Sequence, residues 1–293
     1  MGTSPGQDAS RTGVTVAGAW RRDVVSGAGL PYRIFLWQPP GTPPVGGWPV
    51  TYLLDGNAVF VTAVEAARLV REGFGPKRAG PGAVVAIGYP GEGPFDTTRR
   101  TRDLTPPGAG EPPPRHDGRP WPPSGGAEAF LDLIEGVVKP LVAAEMPVDP
   151  ARACLFGHSF GGLLALHCLF TRPDAFGTYV AASPSIWWNR RTILSSEELF
   201  RARREPGTKS RLLVTVGGDE AAPAGPPSDD PHTRRLREAR MVENAREMAG
   251  RLADVPGLAV HFHLFAGENH GSVIPASVAR GLRFAADENE DER

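Results

Sequence analysis

The sequence is poor in cysteine, in long apolar stretches and in charge of one sign. Its 293 residues include two cysteines, Cys154 and Cys168, which are too few for a disulfide framework, so we expect two packed thiols. No stretch reaches the roughly 18 apolar residues of a membrane-spanning helix. Residues 1–10 also lack the basic start and apolar core of a secretory signal. We therefore expect a cytoplasmic protein without a membrane partner.

The formal net charge of −1 at pH 7 excludes another class of protein. Nucleic-acid-binding domains typically carry a basic stripe and a high pI, so we expect no nucleic-acid partner. Glycine and proline are abundant instead, with 36 and 31 residues. They concentrate in segments 105–127 and 221–231, which show no helical or strand periodicity and which we predict to be loop insertions.

Between these segments, short apolar runs alternate with stretches of helical periodicity. This alternation predicts an α/β fold with a mostly parallel central sheet and helices on both faces. We expect one domain over residues 12–286, a disordered tail at 1–11 and a charged tail at 287–293. Pro140 lies in a predicted helix and is expected to kink or shorten it. The predicted strands are 32–37, 50–54, 83–87, 153–156, 212–216 and 259–265, and the predicted helices are 61–71, 127–145, 161–170, 233–252 and 276–286.

One hexapeptide between a predicted strand and a predicted helix nominates a nucleophile. Residues 157–162 read Gly-His-Ser-Phe-Gly-Gly. The pattern G-x-S-x-G in this setting is typical of the nucleophile elbow of α/β-hydrolases, where small residues let the chain approach itself on a strained turn. It predicts Ser159 as the nucleophile, with small neighbours at Gly157, Gly161 and Gly162.

A serine nucleophile needs a histidine base and a carboxylate, which follow it in the chain order Ser, acid, His in this fold. His270 alone among the seven histidines lies in a loop directly after a predicted strand, so it is the base candidate. The acid is expected after strand 212–216, where Asp219 and Glu220 are adjacent and position does not separate them. The other histidines lie in the Pro-rich segments, in the elbow, on the next helix or along the last strand: His116, His232, His158, His167, His261 and His263.

The oxyanion of a tetrahedral intermediate needs two backbone donors. We expect the N–H groups of Phe160, which follows the nucleophile, and of Asn57, where Gly56 permits an unusual turn. His261 and His263 share one strand face, but no third ligand has suitable spacing. We therefore expect these two histidines to pack in the sheet, and we expect neither a metal nor a cofactor.

Two further motifs, S-P-S-I-W-W at 183–188 and E-N-H-G-S-V at 268–273, are more specific than the elbow. Together with the segments at 52–57, 87–90, 94–106, 156–164 and 216–217, they resemble the trilactone siderophore esterases. This group contains the ferri-bacillibactin, enterobactin and salmochelin esterases, within the wider esterase family of α/β-hydrolases. The resemblance runs from about residue 30 to residue 285 and is strongest to the bacillibactin type.

The resemblance implies a serine esterase that cuts the ester or lactone backbone of a ferric catecholate siderophore and releases iron in the cell. It implies Ser159 as nucleophile and His270 as base. It favours Glu220 over Asp219, because similar sequences read V-G-x-x-E. The Pro-rich insertion after Glu220 departs from the pattern and is expected beside the active site.

Two side chains are candidates for substrate binding. Arg100 either contacts an anionic substrate or belongs to a solvated basic patch. Trp187 either lines the cleft or packs within the fold. The alternative functions are a general carboxylesterase or acyltransferase with a small non-siderophore substrate, and a non-catalytic siderophore-binding protein.

Overall fold

The computed structural model describes residues 13–72, 81–108, 110–115, 117–203, 209–226 and 229–287. The predicted tail at 1–11, most of the charged tail at 287–293 and His116 lie outside the described residues. Within the described ranges, no helix is both long enough and apolar enough to cross a membrane.

Within the described residues, eight strands form one sheet in the order β1-β2-β4-β3-β5-β6-β7-β8. The first two pairings, β1 with β2 and β2 with β4, are antiparallel, and the remaining five are parallel. Central strands such as β3 and β4 are buried along their whole length, which is why they read as continuous apolar runs. The predicted mostly parallel sheet is confirmed. The strands are β1 (Ala19–Val25), β2 (Pro31–Trp37), β3 (Trp48–Leu54), β4 (Ala83–Gly88), β5 (Val148–His158), β6 (Thr178–Ala182), β7 (Ser210–Gly217) and β8 (Leu258–Phe265).

The helices include all five predicted segments. The predicted helix at 233–252 is two helices, because Arg240 between them adopts a left-handed conformation (φ 45°, ψ 47°). The helices are α1 (Gly56–Glu72), α2 (Thr97–Leu104), α3 (Ala127–Leu133), α4 (Lys139–Glu145), α5 (Phe160–Thr171), α6 (Trp188–Arg191), α7 (Ile193–Arg203), α8 (Pro231–Ala239), α9 (Met241–Leu252) and α10 (Val273–Ala286).

Pro140 does not shorten its helix. A π-helical turn at Ile134–Val138 joins α3 to α4, and Lys139 N–H donates to the carbonyl of Ile134. Pro140 then lies in the first turn of α4, and the helical residues continue to Glu145. The interruption that a proline causes is taken up by a change in the hydrogen-bond register.

Helices cover both faces of the sheet. Alternate residues of each strand point to opposite faces, so Leu53 joins the cluster under α1 and α10, whereas Tyr52 joins the cluster under α3, α5 and α9. Cys154 and Cys168 are buried free thiols, one in each cluster. Burial raises the pKa of both thiols to about 12. They are packed side chains, as expected.

The parallel strands bring five short segments to one edge of the sheet. The segments directly follow the carboxyl ends of β3, β5, β6, β7 and β8. In α/β folds this edge is where ligands bind and where chemistry is placed. The predicted site residues Asn57, Ser159, Glu220 and His270 all lie in these segments.

Candidate active site

Ser159 occupies the turn between β5 and α5 in a strained conformation, with φ 61° and ψ −115°. A Cβ at Gly157 would lie 2.1 Å from the carbonyl oxygen of Gly161, and one at Gly162 would lie 2.8 Å from that of Ala182. These two positions require glycine. A Cβ at Gly161 would lie 3.5 Å from Leu54 and 3.8 Å from Oδ2 of Asp55, which are ordinary contact distances, so the third glycine is not needed for space.

Three predicted side chains meet at this turn and form what we call the Ser-His-Glu chain. Nε2 of His270 lies 3.1 Å from Oγ of Ser159, and Nδ1 of His270 lies 2.6 Å from Oε2 of Glu220. Glu220 is 1% exposed, whereas the His270 side chain is 48% exposed. Of the two adjacent carboxylates, that of Glu220 faces His270. The backbone N–H of Asp219 donates to the carbonyl oxygen of Glu268.

The buried carboxylate of Glu220 is fully supplied with donors. Its Oε1 accepts from Ser183 Oγ at 2.5 Å and from the N–H of Gly217 at 2.8 Å. Oε2 is left to face His270. A buried charge is tolerated when hydrogen bonds satisfy it. The arrangement can pass the Ser159 proton to His270 while Glu220 holds the resulting imidazolium.

His158, inside the elbow, packs against His270. The two ring centroids lie 4.6 Å apart. Burial lowers the pKa of His158 well below its ordinary value, and the neighbouring His270 and Arg100 lower it further. The His158 ring is therefore neutral and adds no charge beside His270.

The two predicted oxyanion donors both lie in first helical turns. Phe160 begins α5, and Asn57 is the second residue of α1. Amides in the first turn have no acceptor within their own helix, and the helix dipole favours negative charge there. The Asn57 side chain fastens the start of α1 to the loop after β4: Nδ2 donates to the carbonyls of Tyr89 and Gly91, and Oδ1 accepts from Tyr89 N–H.

Arg100 lies on α2 and forms a two-pronged ion pair with Asp55. Its Nε and Nη2 donate to Oδ1 and Oδ2 of Asp55 at 2.9 and 2.8 Å. The two side chains are 13% and 4% exposed. The guanidinium also lies over the rings of Phe95 and Phe160. Arg100 is thus anchored and largely buried rather than part of a solvated patch, and substrate contact stays a prediction.

Trp187 belongs to an aromatic cluster beside the elbow. Its ring centroid lies 6.1 Å from those of Phe160, Trp121 and Trp188. Trp121 comes from the Pro-rich segment 105–127 and also packs against Phe160, with the two ring centroids 5.9 Å apart. The guanidinium of Arg115 covers the Trp121 ring. The Pro-rich segment before α3 therefore reaches the elbow.

Several residues of the site escape sequence reasoning. Ser183 and Ser185 lie in the motif at 183–188, and Asp55 lies in the segment at 52–57. Their contacts to the site join parts of the chain that are distant in sequence, and no local pattern marks those contacts. Trp121 carries one signal, since it is a lone aromatic residue within a Pro-rich segment. His261 and His263 contact the rings of Phe284 and Phe265. Among the described residues, no group of three potential ligands could hold a metal ion.

Comparison with known families accounts for this arrangement. The model of the Esterase family, described as "Putative esterase", matches residues 28–258. The chain belongs to this family. The match ends at the first residue of β8, so most of β8 and the His270 loop lie beyond it.

Known relatives agree with this assignment. The chain is 40% identical over 259 residues to the Ferri-bacillibactin esterase BesA of Bacillus subtilis (strain 168), covering 87% of this chain and 84% of BesA. It is 42% identical over 247 residues to the Siderophore triacetylfusarinine C esterase of Aspergillus fumigatus, covering 81% of each. The crystal structure of the BES protein from Bacillus cereus matches with a TM-score of 0.80 and 35% identity, over 95% of this chain and 99% of that chain.

These findings confirm the resemblance to siderophore esterases and the α/β-hydrolase fold. This member of the Esterase family is an esterase, and its fold places the Ser-His-Glu chain at the sheet edge used for chemistry.

Proposed function

We propose that the protein is a serine esterase that hydrolyses the ester or lactone backbone of a ferric catecholate siderophore and releases the iron in the cytoplasm. The observation that carries the proposal is the Ser-His-Glu chain, with contacts of 3.1 and 2.6 Å, beside an aromatic cluster and a guanidinium. Two relatives named as siderophore esterases support this substrate class. Neither a nucleic acid nor a membrane has a part in it.

In the acylation step, Oγ of Ser159 attacks the ester carbonyl carbon while Nε2 of His270 takes the serine proton. Glu220 holds the imidazolium in place. The carbonyl π electrons move to the oxygen, and the N–H groups of Phe160 and Asn57 bind this oxyanion. Collapse of the intermediate breaks the ester bond, and His270 gives its proton to the departing alkoxide.

In the second step, His270 removes a proton from water, and the hydroxide attacks the acyl carbon. The bond to Ser159 Oγ breaks, and the proton returns from His270 to the serine. The product is a linear hydroxy acid. Each opened ester linkage loosens the hold of the siderophore on its iron.

Substrate binding is assigned to the groups beside the elbow. Trp187 offers a ring face to a catechol group, and aromatic pairs gain energy beyond the area they bury. Arg100 has five N–H donors, of which Asp55 takes two, so donors remain for an anionic substrate. A ferric tricatecholate carries several negative charges and is attracted by a guanidinium at the cleft.

The test compares substrates and one variant. Hydrolysis of a ferric cyclic catechol trilactone, followed by mass spectrometry, should exceed that of a short p-nitrophenyl ester. Ser159→Ala should lower both rates by several orders of magnitude, because the members of a triad act as a unit. Weak trilactone turnover would instead favour a general carboxylesterase or acyltransferase. Failure of a fluorophosphonate probe to label Ser159 would favour a non-catalytic siderophore-binding protein.

A further inference from the structure

The segment at 183–185, which follows β6, touches both ends of the Ser-His-Glu chain. Ser183 Oγ donates to Oε1 of Glu220 at 2.5 Å. Two residues later, Ser185 Oγ lies 3.2 Å from Oγ of Ser159. Both serines are buried. One short loop thus contacts both the acid and the nucleophile.

The backbone holds this segment in an unfavourable conformation. Ser183 has φ 42°, in the left-handed region that residues other than glycine rarely adopt. Its N–H donates to Thr215 O at 2.7 Å, and the N–H of Ser185 donates to Ser159 O at 3.1 Å. Strain of this kind persists only where the surroundings enforce it, and it concentrates at functional sites.

The donor and the acceptor of each hydrogen bond in this chain can be assigned in turn, starting from the carboxylate of Glu220. A carboxylate accepts only, so Nδ1 of His270 carries the proton that points at Glu220. For His270 to act as the base, Nε2 must carry no proton and is therefore the acceptor. The Ser159 hydroxyl therefore donates to Nε2 of His270. Having used its one proton, Ser159 Oγ can only accept from Ser185. The Ser185 hydroxyl is thus the donor across the contact of 3.2 Å.

We propose that Ser185 is a second hydroxyl group acting on the nucleophile and that Ser183 is a positioning residue for the acid. This inference rests on the proposed roles of Ser159, His270 and Glu220 and not on the identity of the substrate. Ser185 keeps its own proton throughout. By occupying one lone pair of Ser159 Oγ, it holds the serine proton on the line to His270 and leaves the other lone pair for the carbonyl carbon.

Ser185 also contributes when the acyl-enzyme breaks down. In that step the bond between Ser159 Oγ and the acyl carbon breaks, and the electron pair returns to Oγ. A donor already placed on Oγ stabilises this developing charge. Ser183 acts at the other end, because holding Oε1 of Glu220 turns Oε2 toward His270.

The test of Ser185 measures the nucleophile directly. The rate constant for phosphonylation of Ser159 by a fluorophosphonate, and the burst rate with p-nitrophenyl butyrate, should both fall about tenfold in Ser185→Ala, with KM within about twofold. Ser277→Ala is the matched control. Ser277 is also buried, and its hydroxyl lies 2.9 Å from Thr215 Oγ1, but it is outside the site, so both rates should stay within about twofold of wild type.

Ser185→Cys provides a second variant if the alanine variant folds poorly. A thiol is a weaker hydrogen-bond donor than a hydroxyl, so the phosphonylation rate should fall between those of wild type and Ser185→Ala. A wild-type phosphonylation rate in either folded variant would overturn the role of Ser185.

The test of Ser183 separates the hydroxyl from the strained backbone. Ser183→Ala and Ser183→Gly both remove the hydroxyl, but glycine adopts φ 42° without strain. We expect the glycine variant to be the more stable and both to have a burst rate about tenfold below wild type. The low-field proton resonance of His270 Nδ1–H should shift in both. A wild-type burst rate and resonance in Ser183→Gly would overturn the positioning role.

The outcomes also distinguish this inference from the proposed function. If the p-nitrophenyl ester is hydrolysed but the trilactone is not, the substrate proposal fails and the roles of Ser183 and Ser185 stand. If Ser159→Ala keeps its activity, the nucleophile is wrong and the inference fails with it.

Discussion

The ion pair between Asp55 and Arg100 allows a quantitative test of how this site is held. Both oxygens of Asp55 accept from the guanidinium, at 2.9 and 2.8 Å, and the two side chains are largely buried. Burial alone would lower the pKa of Arg100, but the nearby carboxylate of Asp55 more than offsets this and holds that pKa above its ordinary value. Removing one partner would leave the other charge buried and unpaired.

Asp55→Asn isolates this effect, because asparagine has the same shape and tolerates the left-handed backbone at φ 55°. Breaking a buried ion pair by removing one partner costs about 3–5 kcal/mol. Because Arg100 keeps some exposure, we expect a loss of about 3 kcal/mol in the free energy of unfolding. The double variant Asp55→Asn/Arg100→Met removes both charges and should recover about 2 kcal/mol relative to the sum of the single variants.

Equilibrium urea unfolding of the wild type, both single variants and the double variant measures these free energies. The control is the exposed pair of Glu65 and Arg68, where Glu65→Gln should change the free energy of unfolding by at most about 0.5 kcal/mol. The reasoning is refuted if Asp55→Asn costs no more than Glu65→Gln, or if the two single effects simply add in the double variant.

Three further predictions concern the elbow and its neighbours. Gly157→Ala should abolish ester hydrolysis, because the new Cβ would lie 2.1 Å from a backbone oxygen. Gly161→Ala should retain ester hydrolysis, because the atom nearest to its Cβ would be 3.5 Å away. Steady-state kinetics of the two variants tests this difference. Trp121→Ala should raise KM for a catechol ester about fivefold and leave KM for a short aliphatic ester within about twofold. Trp121 packs against Trp187, the ring proposed to face the catechol group, and only an aromatic substrate uses that ring. Because burial lowers the pKa of His158, the unfolded chain binds a proton below about pH 6.5 that the folded protein does not. As the pH is lowered below about 6.5, the free energy of unfolding should therefore decrease, by up to about 1.4 kcal/mol per pH unit. His158→Phe should flatten this dependence in urea titrations at several pH values.

Each of these predictions has an outcome that contradicts it. Equal activity of Gly157→Ala and Gly161→Ala would show that the turn has more room than the backbone distances indicate. Equal changes of KM for both esters in Trp121→Ala would mean a structural rather than a ring-specific role. An unchanged slope of stability against pH in His158→Phe would show that His158 is protonated in the folded protein.

The sequence predicts the proposed reacting groups better than it predicts the residues that hold them in place. Ser159 and His270 follow from a local pattern and from strand order, because each lies directly after an apolar run. Position alone leaves Asp219 and Glu220 equal, since neighbouring side chains face different ways and only the turn after β7 turns Glu220 toward His270. The resemblance to a family separates them.

The supports depend on contacts between distant parts of the chain. Asp55 and Arg100 are 45 residues apart, and Ser183 and Glu220 are 37 apart, so no short-range periodicity links them. Two strands are likewise missing from the predicted set: β1 carries charged residues at the sheet edge, and β6 has only five residues. The break between α8 and α9 at Arg240 is not predicted either, because no glycine or proline marks the left-handed turn there.

His270 lies after a strand at the edge of the sheet, so activity can be lost before the protein as a whole unfolds. Its loop follows β8, the last strand of the sheet order, which pairs with β7 and is only partly buried over most of its length. Ser159, by contrast, follows β5, which is paired on both sides. Outer strands open at a lower free energy than central ones. Fraying of β8 would displace the proposed base while the proposed nucleophile stays in place. Loss of activity on warming should therefore be reversible and should precede cooperative unfolding.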